Sequence, residues 1–272
     1  MSPRRPPRAW VGPAQPVESD ELSGPRGLTA ELLRGDFDEL STTRGPLPPP
    51  ISDSIKSVRQ SSDSADFYWS LLTPERQARI QSVVDARLQS VTVVLDRLLD
   101  AHNVAAVLRT AEGLGLCAAH VIAHDADDGV AHRRVTQDAH KWLEVHPHAS
   151  GAEAANALKS QGFEVWAGHF DRGAIHFEEL AADRPVALLF GNEHEGPGAQ
   201  TLAACNGTFR IPMAGFTQSF NVSVAAGIAL ASLTRRRRAH LKAPGDLPES
   251  ERVLLRDHFT LLAARLARRL KR

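Results

Sequence analysis

Phe209 to Leu233, FRIPMAGFTQSFNVSVAAGIALASL, constrains the fold more than any other stretch, because a loop of unusual chemistry joins two deeply apolar elements. Gly207 to Ile211 is short, ends on a β-branched residue and stops at Pro212, which has no N–H for a ladder, so a strand ends there. From Asn221 to Leu233 only small and apolar residues occur apart from Ser223 and Ser232, and a helix without a polar face is expected to be buried nearly all round. Its polar end is its start. Ser219 is a good N-cap residue and Asn221 lies just inside the first turn, where unpaired N–H groups and the helix dipole favour an electron-rich ligand. The same residues would equally cap an ordinary core helix. The loop from Pro212 to Gln218 argues for a ligand: Met213, Gly215 and Phe216 offer more apolar surface than a solvent turn does, and Gly215 allows close backbone approach to a flat polar ring.

Val91 to Leu95 is a β-branched run and reads as a strand, followed by strands near Ala119–Ala123, Phe163–Ala167, Val186–Phe190 and Thr208–Ile211. Helical stretches separate most of them, near Val104–Leu114, Ala152–Gln161, Gly198–Ala204 and Ser219–Leu233. This alternation predicts an α/β domain with a parallel sheet covered on both faces. Sites in such folds lie beyond the carboxyl ends of strands, so the loops after Leu95, Ala167, Phe190 and Ile211 are the candidates. Upstream, Thr73-Pro74-Glu75 starts a helix that runs to about Leu88 on Ile80, Val83, Val84 and Leu88. Downstream, a helix from Glu249 to Leu270 places Leu254, Leu255, Leu262, Leu266 and Leu270 on one face, to pack on the domain or on a second copy of it. Residues 1–62 are rich in Pro, Gly and Ser, as in Pro48 to Pro50, and are expected to be disordered apart from a turn around Leu28 to Leu33. The expected organisation is thus an extension over 1–62, a helical segment over 63–88, the main domain over 89–242 and a basic C-terminal helix over 243–272.

A net charge of zero hides an asymmetry: residues 1–65 hold 8 basic and 9 acidic residues, 66–234 hold 12 and 19, and 235–272 hold 12 and 4. Arg235 to Arg238, with Arg265, Arg268, Arg269, Lys271 and Arg272, could neutralise phosphates or form a solvated face. Cys117 and Cys205 read as buried free thiols, with no disulfide framework and no zinc site. No apolar run approaches the roughly 18 residues of a membrane span, and Arg4, Arg5 and Arg8 are followed by prolines rather than by a signal-type apolar region, so a cytoplasmic location without membrane attachment is expected.

Gly113-Leu114-Gly115-Leu116-Cys117-Ala118 fits the dinucleotide pattern G-x-G-x-x-A, but it ends a helix and precedes a strand, the reverse of the required order. In HNVAAVLRTAEGLGL, His102 to Leu116, Asn103 can cap the helix, and Arg109 sits among apolar neighbours, so it faces solvent, a carboxylate or a phosphate. Leu188 to Gly196, LLFGNEHEG, is a buried strand opening straight into glycine, amide and carboxylate groups, as a ligand-contacting loop does. The histidines, His120, His124, His146, His148 and His194 among them, show no H-E-x-x-H spacing, and no G-x-S-x-G elbow is present.

Taken together and in order, HNVAAVLRTAEGLGL, LLFGNEHEG and IPMAGFTQSFNVSVAAGIAL resemble the three motifs of the SpoU, or TrmH, family in the SPOUT superfamily of RNA methyltransferases. The resemblance covers about Phe67 to Leu241, and Ala139-His140-Lys141-Trp142 with Val145-His146-Pro147 adds a match in the middle. It implies a deep trefoil knot near the C-terminal end, a homodimer, and S-adenosylmethionine held in the knot for 2'-O-methylation of ribose in tRNA or rRNA. It also implies that Asn103, Arg109, Glu193, Ser219 and Asn221 are the catalytic and structural polar positions, and that Gly168, Gly191, Ile211 and Phe220 contact the cofactor. The flanking helices resemble the branch that methylates guanosine 18 of the tRNA D-loop. Three positions depart from the family pattern: Glu-Lys-x-Gly stands here as Glu193-His194-Glu195-Gly196, Leu before Asn as Phe220, and Met-Val as Phe216-Thr217. Alternatives are an rRNA ribose methyltransferase of the family or a catalytically silent RNA-binding module. The family gives the hydroxyl proton to the arginine matching Arg109; since guanidinium stays protonated, anchoring a phosphate and stabilising the alkoxide is the other role open to it.

Overall fold

Seven strands in the order β3-β2-β1-β6-β4-β7-β5, all paired in parallel, form the single sheet of the computed structural model, which describes residues 62–123 and 142–269. In chain order they are β1 Val91–Asp96, β2 Ala118–Ile122, β3 Glu144–Pro147, β4 Glu164–Gly168, β5 Ile175–His176, β6 Val186–Gly191 and β7 Gly207–Arg210. The helices are α1 Ser62–Ser70, α2 Pro74–Asp85, α3 Ala101–Gly113, α4 Gly151–Ser160, α5 Ala199–Ala204, α6 Val222–Leu241 and α7 Glu249–Arg269. The extension and its turn, His124, Ala139 to Lys141, and the last helix beyond Arg269 lie outside the described residues.

Period-two alternation divides the central strands between two cores. Val91, Val93 and Leu95 of β1 with Val186, Leu188 and Phe190 of β6 join α3 and α6 through Val104, Val107, Leu108, Ala229 and Leu230. On the other face Val94, Ala187 and Leu189 meet Ala154, Ala155 and Leu158 of α4. β1 and β6 are buried at every position, as a strand covered on both faces must be. β3 and β5 had no counterpart among the expected strands: one is four residues of mixed character, the other only two, too short to carry a periodic signal.

Helix ends follow side-chain capping, with three shifts from expectation. Thr73 caps α2 with Pro74 at its first position, as read, but α2 stops at Asp85 rather than Leu88. Asp100, not Asn103, caps α3, its carboxylate accepting from His102 N. Asn221, not Ser219, caps α6; its side chain accepts from Ser223 N, so the helix begins at Val222. α6 is also not buried all round: Ala226, Ala229, Leu230 and Leu233 are buried, whereas Val224 is 48% exposed and Ala231 is exposed too.

The arginine run at the end of α6 turns inward. Arg236 donates to the carbonyls of Leu180 and Phe177, Arg237 to Ser90 Oγ and Ala182 O, and Arg238 to the carbonyls of Pro244, Ala86 and Leu114. Only Arg235 of the four points to solvent. α7 buries Leu255, Phe259 and Ala263, against Ile80 and Val84 of α2 and Trp69 of α1, while Leu254 and Leu262 lie partly exposed. The buried stripe is therefore rotated from the leucine face read in the sequence, because Phe259 docks between Trp142 and Arg87.

Candidate active site

Parallel register brings the carboxyl ends of β1, β6, β4 and β7 to one edge. Asp96 lies opposite Gly191, and Gly168 lies opposite Phe190 on one side and Phe209 on the other. The four loops singled out in the sequence therefore open at the same place.

A one-way chain of hydrogen bonds ties three of them together. Glu193 Oε2 accepts from Leu99 N at 2.9 Å, and its Oε1 accepts from Asn103 Nδ2 at 2.9 Å and from Asp100 N at 3.5 Å. Asn103 Oδ1 accepts from Asn221 Nδ2 at 3.0 Å, and Asn221 Oδ1 accepts from Ser223 N at 2.8 Å and Ser223 Oγ at 2.6 Å. An ionised carboxylate only accepts, so Asn103 must turn its nitrogen to Glu193 and its oxygen to Asn221, which fixes Asn221 in turn. Burial pushes the Glu193 carboxyl up, but the N–H groups of Leu99, Asn103 and Asp100 outweigh it and hold the group below its ordinary value.

The loop after β6 is held by a residue the sequence reading passed over. Asn192, nearly buried, accepts from the N–H groups of His194 and Glu195 through Oδ1 and donates to the carbonyl of Arg97 through Nδ2. Its place between glycine and Glu193 was the available signal. Gly196 closes the loop with a bond to Asn192 O at 2.8 Å and a φ of 70°. A Cβ on Gly191 would lie 2.2 Å from Pro197 N, so glycine is required for the loop to fold back on itself. Arg97, at the end of β1, has a φ of 56°, a left-handed conformation costing about 1 kcal/mol for such a residue, with its carbonyl held by Asn192. Beneath it the buried Asp96 accepts from Thr201 Oγ1 at 3.0 Å and pins α5.

The remaining candidates separate into two groups. Gly168 fits between the edge-to-face rings of Phe190 and Phe209, where a Cβ would come within 3.3 Å of the Phe190 ring. Ile211 is partly exposed, Phe220 is 38% exposed and Phe216 wholly so, and no backbone N–H or C=O from Met213 to Phe220 is paired among the described residues. This uncharged apolar lip with free main-chain groups fits a flat neutral heterocycle such as the adenine of S-adenosylmethionine. Ser219 and Arg109 stand apart. Both are exposed, and neither has a hydrogen bond or ion pair among the described residues. Arg109 is six residues beyond Asn103, about 9 Å along α3 and about 240° around it, so it points away from the polar chain.

A cavity of about 1050 Å³ lies elsewhere, between the β2–β3 end of the sheet, α4 and α7, lined by Thr92, His120, Glu144, His146, His148 and Asp246 among others. None of the site residues lines it. His120 stacks on His146 at 5.0 Å and contacts His148 Nε2 through Nδ1 at 2.9 Å, so the rings lie side by side rather than converging on an ion. Cys117 and Cys205 are free, half-buried rather than buried, and burial pushes their thiols up to about 12 and about 11.

The model of the SpoU rRNA Methylase family matches residues 90–231, more than half of the chain and all three motif loops. The chain belongs to the SpoU methylase family. Its relatives include the tRNA (guanosine(18)-2'-O)-methyltransferase of Thermus thermophilus, 36% identical over 61% of this chain and 84% of that enzyme. The Escherichia coli enzyme of the same name is 32% identical over 71% of this chain and 86% of that one. A 23S rRNA (guanosine-2'-O-)-methyltransferase from a Burkholderia species is 36% identical, over 55% of this chain and 60% of that enzyme. Among solved structures, the A. aeolicus TrmH/SpoU tRNA modifying enzyme superposes with a TM-score of 0.60 at 26% identity, covering 68% of this chain and 95% of that one. In this SpoU methylase, then, the chain gathers Asn103, Glu193 and Asn221 beside the Gly168, Gly191 and Ile211 edge, and leaves Arg109 and Ser219 outside the network.

Proposed function

We propose that this SpoU methylase transfers a methyl group from S-adenosylmethionine to the ribose 2'-hydroxyl of guanosine 18 in the tRNA D-loop. The observation that carries the reading is the Glu193–Asn103–Asn221 chain at the lip of the glycine-lined edge, in a chain similar to guanosine-18 enzymes over most of their length. The match to the rRNA relative leaves a larger part of that enzyme without a counterpart, which favours tRNA over rRNA.

Bound S-adenosylmethionine supplies an electrophilic methyl carbon. The chain's own part is to hold and orient. The backbone at Gly168, Gly191 and Ile211 and the Phe220 ring line the cofactor pocket, and the anchored Asn221 fixes the start of α6 against α3. Arg109 acts from the partner subunit of a homodimer, taking a phosphate beside the target ribose and stabilising the oxygen as its proton passes to solvent water. Two features support a dimer: Arg109 faces away from its own network, and Val224 with the 212–220 loop leaves an apolar surface open. A trefoil knot is supported by the strand order, since β6 enters between β1 and β4 after the chain has passed β5 on the far edge, and α6 then returns to α3, Gly227 facing Thr110. A cytoplasmic location agrees with a tRNA substrate; among the described residues no helix is long and apolar enough to cross a membrane.

The test is incubation with labelled S-adenosylmethionine and either tRNA or rRNA. Label in tRNA, lost when guanosine 18 is replaced by a 2'-O-methylated guanosine, is expected. Label confined to rRNA would overturn the substrate, and none in either would leave a binding module.

A further inference from the structure

The loop between β4 and β5 presents a single aromatic ring to solvent. Phe170 is 81% exposed although the loop beneath it is firmly tied. His169 N donates to Phe209 O at 3.1 Å, Asp171 Oδ2 accepts from Thr208 Oγ1 at 2.8 Å, and Asp171 Oδ1 accepts from Gly173 N at 2.6 Å. Arg210 Nε closes the far end on Ala174 O at 3.3 Å. These bonds leave the Asp171 carboxyl below its ordinary value, with Thr208 the largest cause. The loop starts at Gly168, and the His169 ring lies 3.5 Å from where a Cβ of Gly196 would stand, so the loop that carries Phe170 borders the candidate site.

Phe170 and Phe216, the most exposed phenylalanines of the site loops, differ in their surroundings. Phe216 sits in a loop without a charge, suited to an uncharged neighbour. Phe170 is followed two residues on by Arg172, exposed and without an ion pair among the described residues, and Arg210 is exposed on the adjoining strand. Its one acidic neighbour in the loop, Asp171, is occupied by Thr208 and Gly173. A rigid aromatic face beside the unengaged guanidinium of Arg172 is the arrangement by which proteins hold an unstacked base and its phosphate.

We propose that Phe170 stacks on an unpaired nucleobase of the substrate RNA next to the methylated ribose, and that Arg172 takes the adjoining phosphate. The inference rests on the reading of the substrate as loop RNA. Kinetics of the full chain test it, with tRNA and S-adenosylmethionine varied separately. Phe170→Ala is expected to raise the KM for tRNA about ten-fold, within the range one stacked base supplies, with kcat changed less than three-fold. The KM for S-adenosylmethionine and the solution mass should stay as in the parent, and Phe170→Trp should restore tRNA binding to within about three-fold. An unchanged KM for tRNA, a weakened cofactor affinity, or a change in solution mass would each overturn the role, the last two by moving Phe170 to the cofactor or to a subunit contact. A binding arm keeps the two readings apart. In the Phe170→Trp variant, a stem-loop RNA should quench indole emission beyond the quenching seen in the parent chain, and a blunt duplex of equal length should not. If the parent methylates neither RNA, the proposed function falls while this arm still decides the stacking; equal quenching by both RNAs would refute it.

Discussion

The two ends of α6 use polar groups in opposite ways. At its C-terminal end Arg236, Arg237 and Arg238 form the densest basic run of the chain and are consumed by internal oxygens, among them Ser90 Oγ and the carbonyls of Leu180, Ala182 and Ala86. At its N-terminal end there is no charge from Ile211 to Thr234, yet that end carries the cap and the link to Asn103. Charge density thus marks a clasp, and the candidate site is marked by amides and glycines, with Arg109 and Arg172 left exposed and without an ion pair among the described residues. A buried guanidinium needs several acceptors at once, which a folded chain supplies with carbonyls; a guanidinium meant for a phosphate must be left without them.

The sharpest way to break this contrast is Arg109→Ala. Turnover should fall by about 10³-fold in single-turnover methyl transfer, with thermal stability and cofactor binding unchanged, as for an exposed group that stabilises developing charge. Arg109→Lys sharpens it: partial activity fits a phosphate anchor, and none fits a need for the planar fork. Mixed dimers of Arg109→Ala with Asn221→Ala subunits should regain activity if the sites are shared; formed but inactive dimers would count against Arg109 acting across the interface.

Arg237→Ala examines the other end. It removes the donor to Ser90 Oγ and Ala182 O and the cation 3.9 Å from Asp246, whose carboxylate still accepts from Gln89 N and Ser90, and urea unfolding should register a loss of about 1–3 kcal/mol, while folded protein keeps its affinity for tRNA. Lost affinity at unchanged stability would reverse the assignment.

pH separates the regions more gently. Burial lowers His120 to about 3, and burial also lowers His146 and His148, so in the fold these rings are held neutral more firmly than in the unfolded chain. The unfolded chain therefore binds more protons below about pH 6.5, and stability should decline as pH falls from there, by at most about 1.4 kcal/mol per pH unit for His120. Glu193 shifts in the same direction but acts in a lower window: its contribution is complete above its unfolded pKa and fades only as pH drops through the still lower folded value. Stability measured from pH 7 to 5 should thus decline before any Glu193-linked change in activity; a stability curve flat down to pH 5 would exclude the histidine cluster as its source. The smallest effect is Asn221→Ala, about 1 kcal/mol for a lost N-cap in denaturant unfolding, against a larger loss of activity.

The sequence made the inner strands legible because each carries enough apolar residues to show its period. β3 and β5 lacked that length. The cap of α6 was misplaced by two residues because Ser219 and Asn221 are both competent caps, and the choice rests on Asn103, which is remote in sequence. The arginine run could not be read for the same reason: its acceptors lie on distant segments. The apolar composition of α6 predicted burial all round, and the structure buries only part of it, leaving Val224 and Ala231 exposed.

The polar chain at the site has a kinetic corollary. Glu193 meets Leu99 across 94 residues and Asn221 meets Asn103 across 118, so the decisive contacts all close long loops, and loop-closure entropy makes such contacts late ones in folding. During synthesis β1 and α3 emerge first and wait with Asn103 unpartnered by either residue. A growing chain can close Glu193 onto Leu99 and Asn103 first, and completes this site only after residue 221 is free to dock.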